Sequence, residues 1–202
     1  ILTIGAFDGV HKGHAKLFST FSNISHNNSK KIIISFSPHP RTVINSDFQK
    51  NKFILTPLDL KIKLIKEKFL FDYMVIIRFT EEFSKITAED FIEELVSMFS
   101  PEHIILGEGH RFGFNRGGDF EMLKRLGDDL NFTTHLVNSL KIGSCEVRST
   151  FIRLCLRNND LETANDLLGW NYQSNFQVVQ GNRIGRKINF PTVNLVPIYD
   201  MQ

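Results

Sequence analysis

Two histidines near the beginning of the chain have a spacing suited to binding phosphate. His11 and His14 flank Gly13 and follow closely after the apolar residues 1–4. Residues three apart on a helical turn face the same way, so both imidazoles can donate hydrogen bonds to phosphate oxygens. A bound anion would favour their charged forms. A lone histidine is more often structural, but a pair around a glycine, directly after a strand, favours a binding site.

The residues between the apolar run and the histidines fit the same interpretation. Gly5, Gly9 and Gly13 let the backbone approach a ligand closely. Unpaired N–H groups at a helix start attract phosphate. In open α/β sheets, ligands bind at the carboxyl ends of strands, beside helix N-termini. Residues 5–14, which include Phe7 and Asp8, are therefore expected at that position.

Two later segments also carry groups suited to phosphate. Ser149, Thr150 and Arg153 stand at a predicted helix start, where they would hold phosphates from the opposite side. The loop of residues 107–118 has five glycines together with Arg111 and Arg116. This composition indicates a phosphate clamp or a mobile lid, and a plain flexible connection is the alternative.

A proline-rich segment, Pro38-His39-Pro40, ends the β-branched run of residues 31–36. It would either shape a loop against the ring of a ligand or form only a rigid turn at the end of the strand. The residues of this segment alone leave both interpretations open.

The elements that would position these groups alternate between strands and helices. Apolar and β-branched runs predict strands at residues 1–5, 31–36, 72–77, 103–106 and 132–137. Helical spacing predicts helices at residues 14–21, after Thr87, and at 120–130, 149–157 and 161–168. This alternation is typical of the α/β class, as a Rossmann-like, doubly wound parallel sheet covered on both faces.

One further helix is expected after Thr56-Pro57, with the Thr56 hydroxyl as its cap and Pro57 at its first position. Four apolar residues recur at helical spacing and are expected in the core: Leu58, Ile62, Ile65 and Phe69. The lysines of this helix are expected on a solvated face: Lys61, Lys63, Lys66 and Lys68.

Composition limits the classes of partner. The 202 residues carry 24 Lys and Arg against 22 Asp and Glu, and a net charge of +2 indicates neither a nucleic-acid nor a membrane partner. Cys145 and Cys155 lack zinc-site spacing and fit a reducing cytosol, so a cytoplasmic protein is expected. No signal-peptide pattern is present, and no apolar run reaches the ~18 residues of a membrane span.

Four of these segments resemble motifs of one enzyme family. Residues 7–14 resemble the HxGH signature of the nucleotidyltransferase superfamily and, over their whole length, the bacterial FAD synthetases. Residues 36–40 are similar to the FxPHP loop of that family, residues 111–113 to its FRFG loop, and residues 149–153 to its SSTxIR motif. The matches occur in the family's order and span nearly the whole chain.

The resemblance implies transfer of an adenylyl group from ATP to FMN, with Mg²⁺ held mainly by phosphates and water. The attacking FMN phosphate is already an oxyanion, so catalysis would consist of positioning and charge stabilisation without a general base. The resemblance implies His11, His14 and Arg153 as catalytic residues. The implied phosphate contacts are Gly5, Phe7, Asp8, Gly9, Gly13, Arg111, Ser149 and Thr150, and the implied flavin contacts are Pro38, His39 and Pro40.

A second module is expected to follow residues 1–167, which would form the adenylyltransferase domain. Residues 181–194 resemble the GRxxGFPTAN motif of riboflavin kinase, whose module follows the adenylyltransferase in bifunctional FAD synthetases. The implied contacts to nucleotide and magnesium are Gly181, Gly185, Arg186, Thr192 and Asn194, with Thr192 and Asn194 on one strand. Residues 168–202 would be an incomplete β-barrel without kinase activity of its own, because so short a segment cannot bury a core. Riboflavin would be a substrate of the complete protein.

Two alternatives stay open. One is an HxGH nucleotidyltransferase with another acceptor, such as pantetheine phosphate, nicotinamide mononucleotide or a polyol phosphate, although the riboflavin kinase motif argues against it. The other is a non-catalytic flavin- or nucleotide-binding module, altered where the sequence departs from the family's motifs, at Gly109, His110 and Arg148. The sequence makes no prediction of oligomeric state.

Overall fold

The computed structural model describes residues 1–24, 29–44, 54–181 and 189–197. Within these ranges, five strands form one sheet: β1 (Leu2–Ile4), β2 (Ile32–Ser37), β3 (Tyr73–Arg78), β4 (His103–Gly107) and β5 (Thr133–Val137). Their order is β3-β2-β1-β4-β5, and every neighbouring pair is parallel. The chain thus runs to one side of β1 and then to the other, which places the topological switch point between β1 and β4.

Helices connect the strands, as the alternation of elements predicts. The α-helices of the described residues are α1 (Lys12–Ile24), α2 (Pro40–Ile44), α3 (Leu58–Lys68), α4 (Ala88–Phe99), α5 (Phe120–Leu130), α6 (Ser149–Arg157) and α7 (Leu161–Leu168). Thr87 caps α4 as predicted, because its side chain accepts a hydrogen bond from the Asp90 backbone N–H. None of the helices that the structure describes is long and apolar enough to cross a membrane.

Side chains that alternate along the central strands divide into two apolar clusters. One cluster joins the strands to α4 and α5 and contains the strand residues Leu2, Ile4, Ile34, Ile104 and Leu106. The other joins them to α1 and α3 and contains Ile1, Ile33 and Ile105. Because successive strand residues face opposite sides of a sheet, both faces are covered. The predicted doubly wound α/β architecture is therefore confirmed.

A third apolar cluster lies outside the sheet. It joins Leu55 to residues of α6 and α7, among them Ile152, Leu167 and Leu168. Beyond α7, β8 (Phe176–Val179) pairs antiparallel with β9 (Asn194–Pro197). A small antiparallel pair, β6 (Lys141–Ile142) and β7 (Cys145–Glu146), precedes α6. Thr192 lies before β9 begins, so it does not share a strand with Asn194 as the sequence predicts.

Two predictions for α3 are wrong. Pro57, not Thr56, occupies the N-cap position and no side chain caps the helix. The Thr56 hydroxyl instead accepts from the Gly9 backbone N–H at 2.8 Å. The buried residues of α3 are Lys61, Leu64 and Ile65. Lys61 is only 4% exposed, because oxygen acceptors at the ends of β1 and β2 satisfy its ammonium group, whereas Lys63, Lys66 and Lys68 are solvated as predicted.

Two histidines on neighbouring strands of the sheet contact each other. Nε2 of His135 lies 3.2 Å from Nδ1 of His103. Their strands, β4 and β5, are neighbours in the sheet. Side chains on adjacent parallel strands meet in this way irrespective of their separation in sequence.

Candidate active site

The loop between β1 and α1 has an unusual backbone. Gly9 has φ of 89°, and the non-glycine residues Phe7 and Val10 have φ of 48° and 41°. Positive φ is uncommon for ordinary residues and an outlier for a β-branched one such as Val10. Such residues cost on the order of 1–3 kcal/mol each and persist only where their surroundings hold them. The loop is therefore held in shape by other contacts.

The Asp8 carboxylate provides the main support of this loop. Its Oδ1 accepts from the Thr56 backbone N–H at 3.0 Å, and its Oδ2 accepts from the Leu55 N–H at 3.2 Å. Its Oδ2 also pairs with the Arg153 guanidinium, and both side chains are at least 93% buried. Asp8 and Arg153, expected from sequence to contact phosphate, thus bind each other beneath the loop.

Two helix N-termini converge on the same loop. Helix α1 begins at Lys12, directly after the loop. Ser149, the first residue of α6, donates from its Oγ to the Asp8 carbonyl at 2.8 Å. Thr150 is exposed on the first turn of α6. Unpaired N–H groups and the helix dipole favour anions at such termini, so the arrangement suits phosphates.

The two histidines stack against each other, as their spacing predicts. The ring centroids of His11 and His14 are 3.6 Å apart, and the planes differ by 15°. The backbone N–H of each residue donates to Nδ1 of the other at 3.3 Å. Because Nδ1 accepts in both rings, hydrogen bonding assigns the proton of each neutral imidazole to Nε2. Each ring therefore offers an Nε2–H donor.

The environment keeps both imidazoles neutral in the ligand-free protein. Burial lowers the pKa of His11 to about 4, although the Asp8 carboxylate opposes the shift. Burial also lowers the pKa of His14 well below its usual value, with further contributions from the charges of His11, Lys61 and His110. A phosphate at Nε2 would reverse part of this effect, because a nearby anion favours the charged imidazole.

Two more histidines lie within electrostatic reach of this centre. Burial lowers the pKa of His39 to about 4, with Asp8 opposing and Arg153 and Lys61 adding to the shift. His39, in the proline-rich segment, therefore lies within electrostatic range of the Asp8–Arg153 pair. Burial also lowers the pKa of His110 to about 4, assisted by Arg116. The Gly-rich loop therefore approaches His14 through His110. The sequence predicted a contact through Arg111 instead.

The remaining predicted residues either pack against protein groups or are exposed. Arg111 donates to Asp119, the N-cap of α5, at 2.6 Å, so its guanidinium is engaged within its own loop. Pro38 is exposed, and Pro40 begins α2. Gly5 and Gly13 accommodate neighbouring rings, since a Cβ on Gly5 would lie 2.7 Å from Phe7 and one on Gly13 would lie 3.1 Å from His11.

The predicted kinase-module residues are only partly described. Gly181 packs closely against the Asn194 amide, because a Cβ on Gly181 would lie 2.2 Å from that side chain. Thr192 is exposed. Gly185 and Arg186 lie outside the described residues.

Sequence reasoning missed Lys61 and Trp170. Lys61 could have been found, because it shares the i, i+3, i+4 spacing of the buried Leu64 and Ile65. Trp170 donates from its indole Nε1–H to the Gly9 carbonyl at 3.0 Å. Nothing in the local sequence around Trp170 indicates a partner 161 residues away.

Two protein-family models match this chain, and several known proteins are similar to it. The FAD synthetase family model matches residues 1–151, and the riboflavin kinase model matches residues 168–201. Three similar relatives are named bifunctional riboflavin kinase/FMN adenylyltransferase. They come from Buchnera aphidicola subsp. Schizaphis graminum (38% identity), Escherichia coli K12 (32%) and Bacillus subtilis 168 (31%). Each alignment covers 96% of this chain but only 61–62% of the relative, so the chain spans about three fifths of their length.

A solved structure supports the fold. A crystal structure described as a macrolide-efflux protein from Streptococcus pneumoniae superposes with a TM-score of 0.83 at 24% identity. The superposition covers 98% of this chain and 64% of that one. At this level of identity the likeness concerns the fold alone.

Proposed function

We propose that this chain, which belongs to the FAD synthetase family, transfers the adenylyl group of ATP to FMN, giving FAD and pyrophosphate. The observation that carries the proposal is the stacked pair of His11 and His14 at the start of α1, beside the start of α6. This combination of Nε2–H donors and helix N-termini suits a group that gains negative charge on phosphate oxygens.

The proposed chemistry needs no general base. An oxygen of the FMN phosphate forms a bond to the α-phosphorus of ATP, and the bond from that phosphorus to the bridging oxygen breaks. The electron pair leaves with pyrophosphate. His11 and His14 would donate to phosphate oxygens as charge builds up in the transition state. Ser149 and Thr150 would add contacts from the start of α6, and Arg153 would act mainly by holding Asp8 and the loop.

The flavin side of the proposal rests on the proline-rich segment. The electrostatic influence of Asp8 and Arg153 on His39 supports the proposal that Pro38, His39 and Pro40 contact the flavin. A flavin bound against this segment would place its phosphate toward the histidines. Arg111 is proposed as a secondary phosphate contact, which would require release from Asp119.

Mg²⁺ is proposed as part of the ATP substrate. Among the residues that the structure describes, no three His, Cys, Asp or Glu side chains are grouped to hold a metal ion. Both oxygens of Asp8 already accept hydrogen bonds from protein groups. These residues do not fit a resident cation, and no step of the proposed reaction is assigned to one.

A second activity is proposed for the whole protein. Residues 168–201 match the riboflavin kinase model, and the relatives are named as bifunctional. We divide the chain into an adenylyltransferase domain, residues 1–167, and the beginning of a riboflavin kinase domain from residue 168. In this proposal, the complete protein phosphorylates riboflavin to FMN and then adenylylates the product, with Gly181, Gly185, Arg186, Thr192 and Asn194 serving the kinase step.

An acceptor panel tests the adenylyl transfer. Pyrophosphate release from MgATP would be measured with FMN, pantetheine phosphate, nicotinamide mononucleotide and a polyol phosphate, each at equal concentration. We expect release with FMN to exceed release with every other acceptor. Release that is faster with another acceptor would overturn the assignment to FMN, and ATP binding without release from any acceptor would favour a binding module.

A further inference from the structure

Lys61 is a buried lysine whose ammonium group is fully hydrogen-bonded. It lies on the inner face of α3 and is 4% exposed. Its Nζ donates to the Ala6 carbonyl at 3.0 Å, to the Ser35 hydroxyl at 3.1 Å and to the Phe36 carbonyl at 3.3 Å. An ammonium group has three N–H donors, so all of them find acceptors here. Burying such a charge is unfavourable without these partners, which suggests that the position serves a purpose.

The three acceptors belong to the two strand ends that support the candidate site. Ala6 lies in the loop after β1 that carries Asp8 and leads to His11, whereas Ser35 and Phe36 lie near the end of β2, which precedes the proline-rich segment. The Ser35 hydroxyl also donates to the Ala6 carbonyl at 3.3 Å. Lys61 therefore connects the loop on the proposed ATP side of the site to the strand end on its proposed flavin side.

The positive charge of Lys61 acts on His14 and His39. Burial is the main cause of the low pKa values of His14 and His39, and the Lys61 charge lowers both further, so both lie within electrostatic range of Lys61. Asp8 is the carboxylate that faces Lys61, and Asp8 is already paired with Arg153. Two buried cations against one carboxylate leave a net positive charge beneath the loop, which favours an anionic ligand.

We propose that Lys61 is a positioning residue for adenylyl transfer: it holds the loop after β1 against the end of β2 and supplies a buried positive charge that favours the phosphates bound beside His14. This inference rests on the proposed function of the site. The sequence predicted that all lysines of α3 lie on a solvated face. In this proposal, one of them supports phosphate binding.

The proposal makes the site sensitive to alkaline pH. Burial lowers the pKa of Lys61 to about 8, although the Asp8 carboxylate opposes the shift. The titratable groups within electrostatic range of Lys61 are Asp8, His14 and His39, and the two histidines are already neutral at this pH. If ATP binds better to the charged lysine, ATP must in turn raise the lysine pKa by the same linkage.

A titration of the intact protein tests this coupling directly. Protein labelled with ¹³C at the lysine ε-carbons would be titrated by NMR, and Lys61 would be identified as the signal missing from Lys61→Arg. We expect one lysine to titrate near pH 8 and MgATP to raise its midpoint by about one pH unit, which corresponds to about tenfold tighter binding to the charged form. A Lys61 signal whose midpoint is unaffected by saturating MgATP would overturn the proposal.

A kinetic comparison separates positioning from a merely structural role. Lys61→Met should lower kcat/KM for ATP about tenfold, and Lys61→Arg should retain more activity because it keeps the charge. Lys63→Met, on the exposed face of the same helix, is the matched control and should be unchanged. The unaltered protein should lose activity as pH rises through about 8, and this decline should be absent from folded Lys61→Met.

The two failures are distinguishable. A folded Lys61→Met variant with unchanged kcat/KM and the same alkaline decline would contradict the role of Lys61. Absence of FAD formation by the unaltered protein would contradict the proposed function. The NMR titration would still show whether MgATP raises the pKa of Lys61. If Lys61→Met does not fold, the titration and the alkaline decline of the unaltered protein decide the question.

Discussion

At the scale of the residue, the protonation state of His11 and His14 is the central feature. The rings stack at 3.6 Å, and burial keeps both pKa values low, so the free protein presents two neutral imidazoles. Each still has an Nε2–H donor, because Nδ1 accepts a backbone N–H. Binding therefore does not require protonated histidines, although phosphate charge would favour them.

Replacement of His14 tests this role. His14→Ala removes a donor that would stabilise charge in the transition state, so kcat for FAD formation should fall by about 10²–10³-fold. His135→Ala is a suitable control, because that histidine pairs with His103 between β4 and β5. A rate for His14→Ala within about twofold of the unaltered protein would exclude His14 from the mechanism.

The buried pair of Asp8 and Arg153 should dominate the local stability. Asp8→Asn leaves the Arg153 guanidinium buried without its counter-charge, and breaking a buried pair in this way costs about 3–5 kcal/mol. The free energy of unfolding would be measured with urea. Asp166→Asn is the control, because its pair with Lys12 is exposed and should contribute at most about 1 kcal/mol. Equal effects of the two substitutions would contradict this account.

At the scale of the element, predictions based on local signals agree with the structure. The predicted helices at residues 120–130, 149–157 and 161–168 have the observed bounds, because spacing and end signals lie within each segment. The prediction that Thr56 caps α3 was wrong, because the Thr56 hydroxyl accepts a hydrogen bond from the Gly9 N–H, 47 residues away. The spacing of Lys61 with Leu64 and Ile65 could have indicated its burial, but its oxygen acceptors lie on other elements. Local patterns cannot reveal partners that only the folded chain brings together.

Trp170 provides a test of one such long-range contact. It follows α7 and its indole N–H holds the Gly9 carbonyl, which links the beginning of the second matched region to the loop after β1. Trp170→Phe keeps an aromatic ring but loses this hydrogen bond. We expect the free energy of unfolding to fall by about 1 kcal/mol and KM for ATP to rise by up to about fivefold.

A nearby exposed contact supplies the control for Trp170. Lys68 donates to the Gly169 carbonyl at 3.4 Å from an exposed position. Lys68→Met should leave both the free energy of unfolding and KM nearly unchanged. A Trp170→Phe variant that also leaves both unchanged would show that the indole does not restrain the loop.

At the scale of the whole molecule, the sheet order decides where the site lies. The alternation of elements predicted parallel strands, and the order β3-β2-β1-β4-β5 adds the switch point beside β1. Sequence could predict that residues 5–14 follow a strand, but not which strands would lie beside it. β1 lies between β2 and β4, and the loop after β4 brings His110 toward His14. The sequence motifs predicted which residues belong to the site, and the order of the strands determines which of these residues lie next to each other.

Burial of several neutral histidines should make the whole fold sensitive to acid. The pKa values of His11, His39 and His110 fall from the usual 6.5 to about 4 in the folded protein. Between these values the unfolded chain binds more protons, so the free energy of unfolding should decrease as pH falls from about 6.5 to about 4. Each such histidine contributes a slope of about 1.4 kcal/mol per pH unit.

Urea unfolding at several pH values from 7.5 to 4.5 would measure this slope. His11→Asn is the informative comparison, because its amide oxygen can replace Nδ1 as an acceptor but does not titrate. For this variant, the decrease of the unfolding free energy with falling pH should be shallower by about 1.4 kcal/mol per pH unit, which is the contribution of one histidine. Identical slopes for the variant and the unaltered protein would contradict the burial of a neutral His11.

The central claim is that this site moves the adenylyl group of ATP onto FMN. Its most direct test is to incubate the protein with FMN and MgATP radiolabelled at the α-phosphate, and to separate the products. The account predicts labelled FAD, with unlabelled pyrophosphate released in equal amount. Bound ATP and FMN that yield no labelled FAD, or label that appears only in AMP, would contradict it.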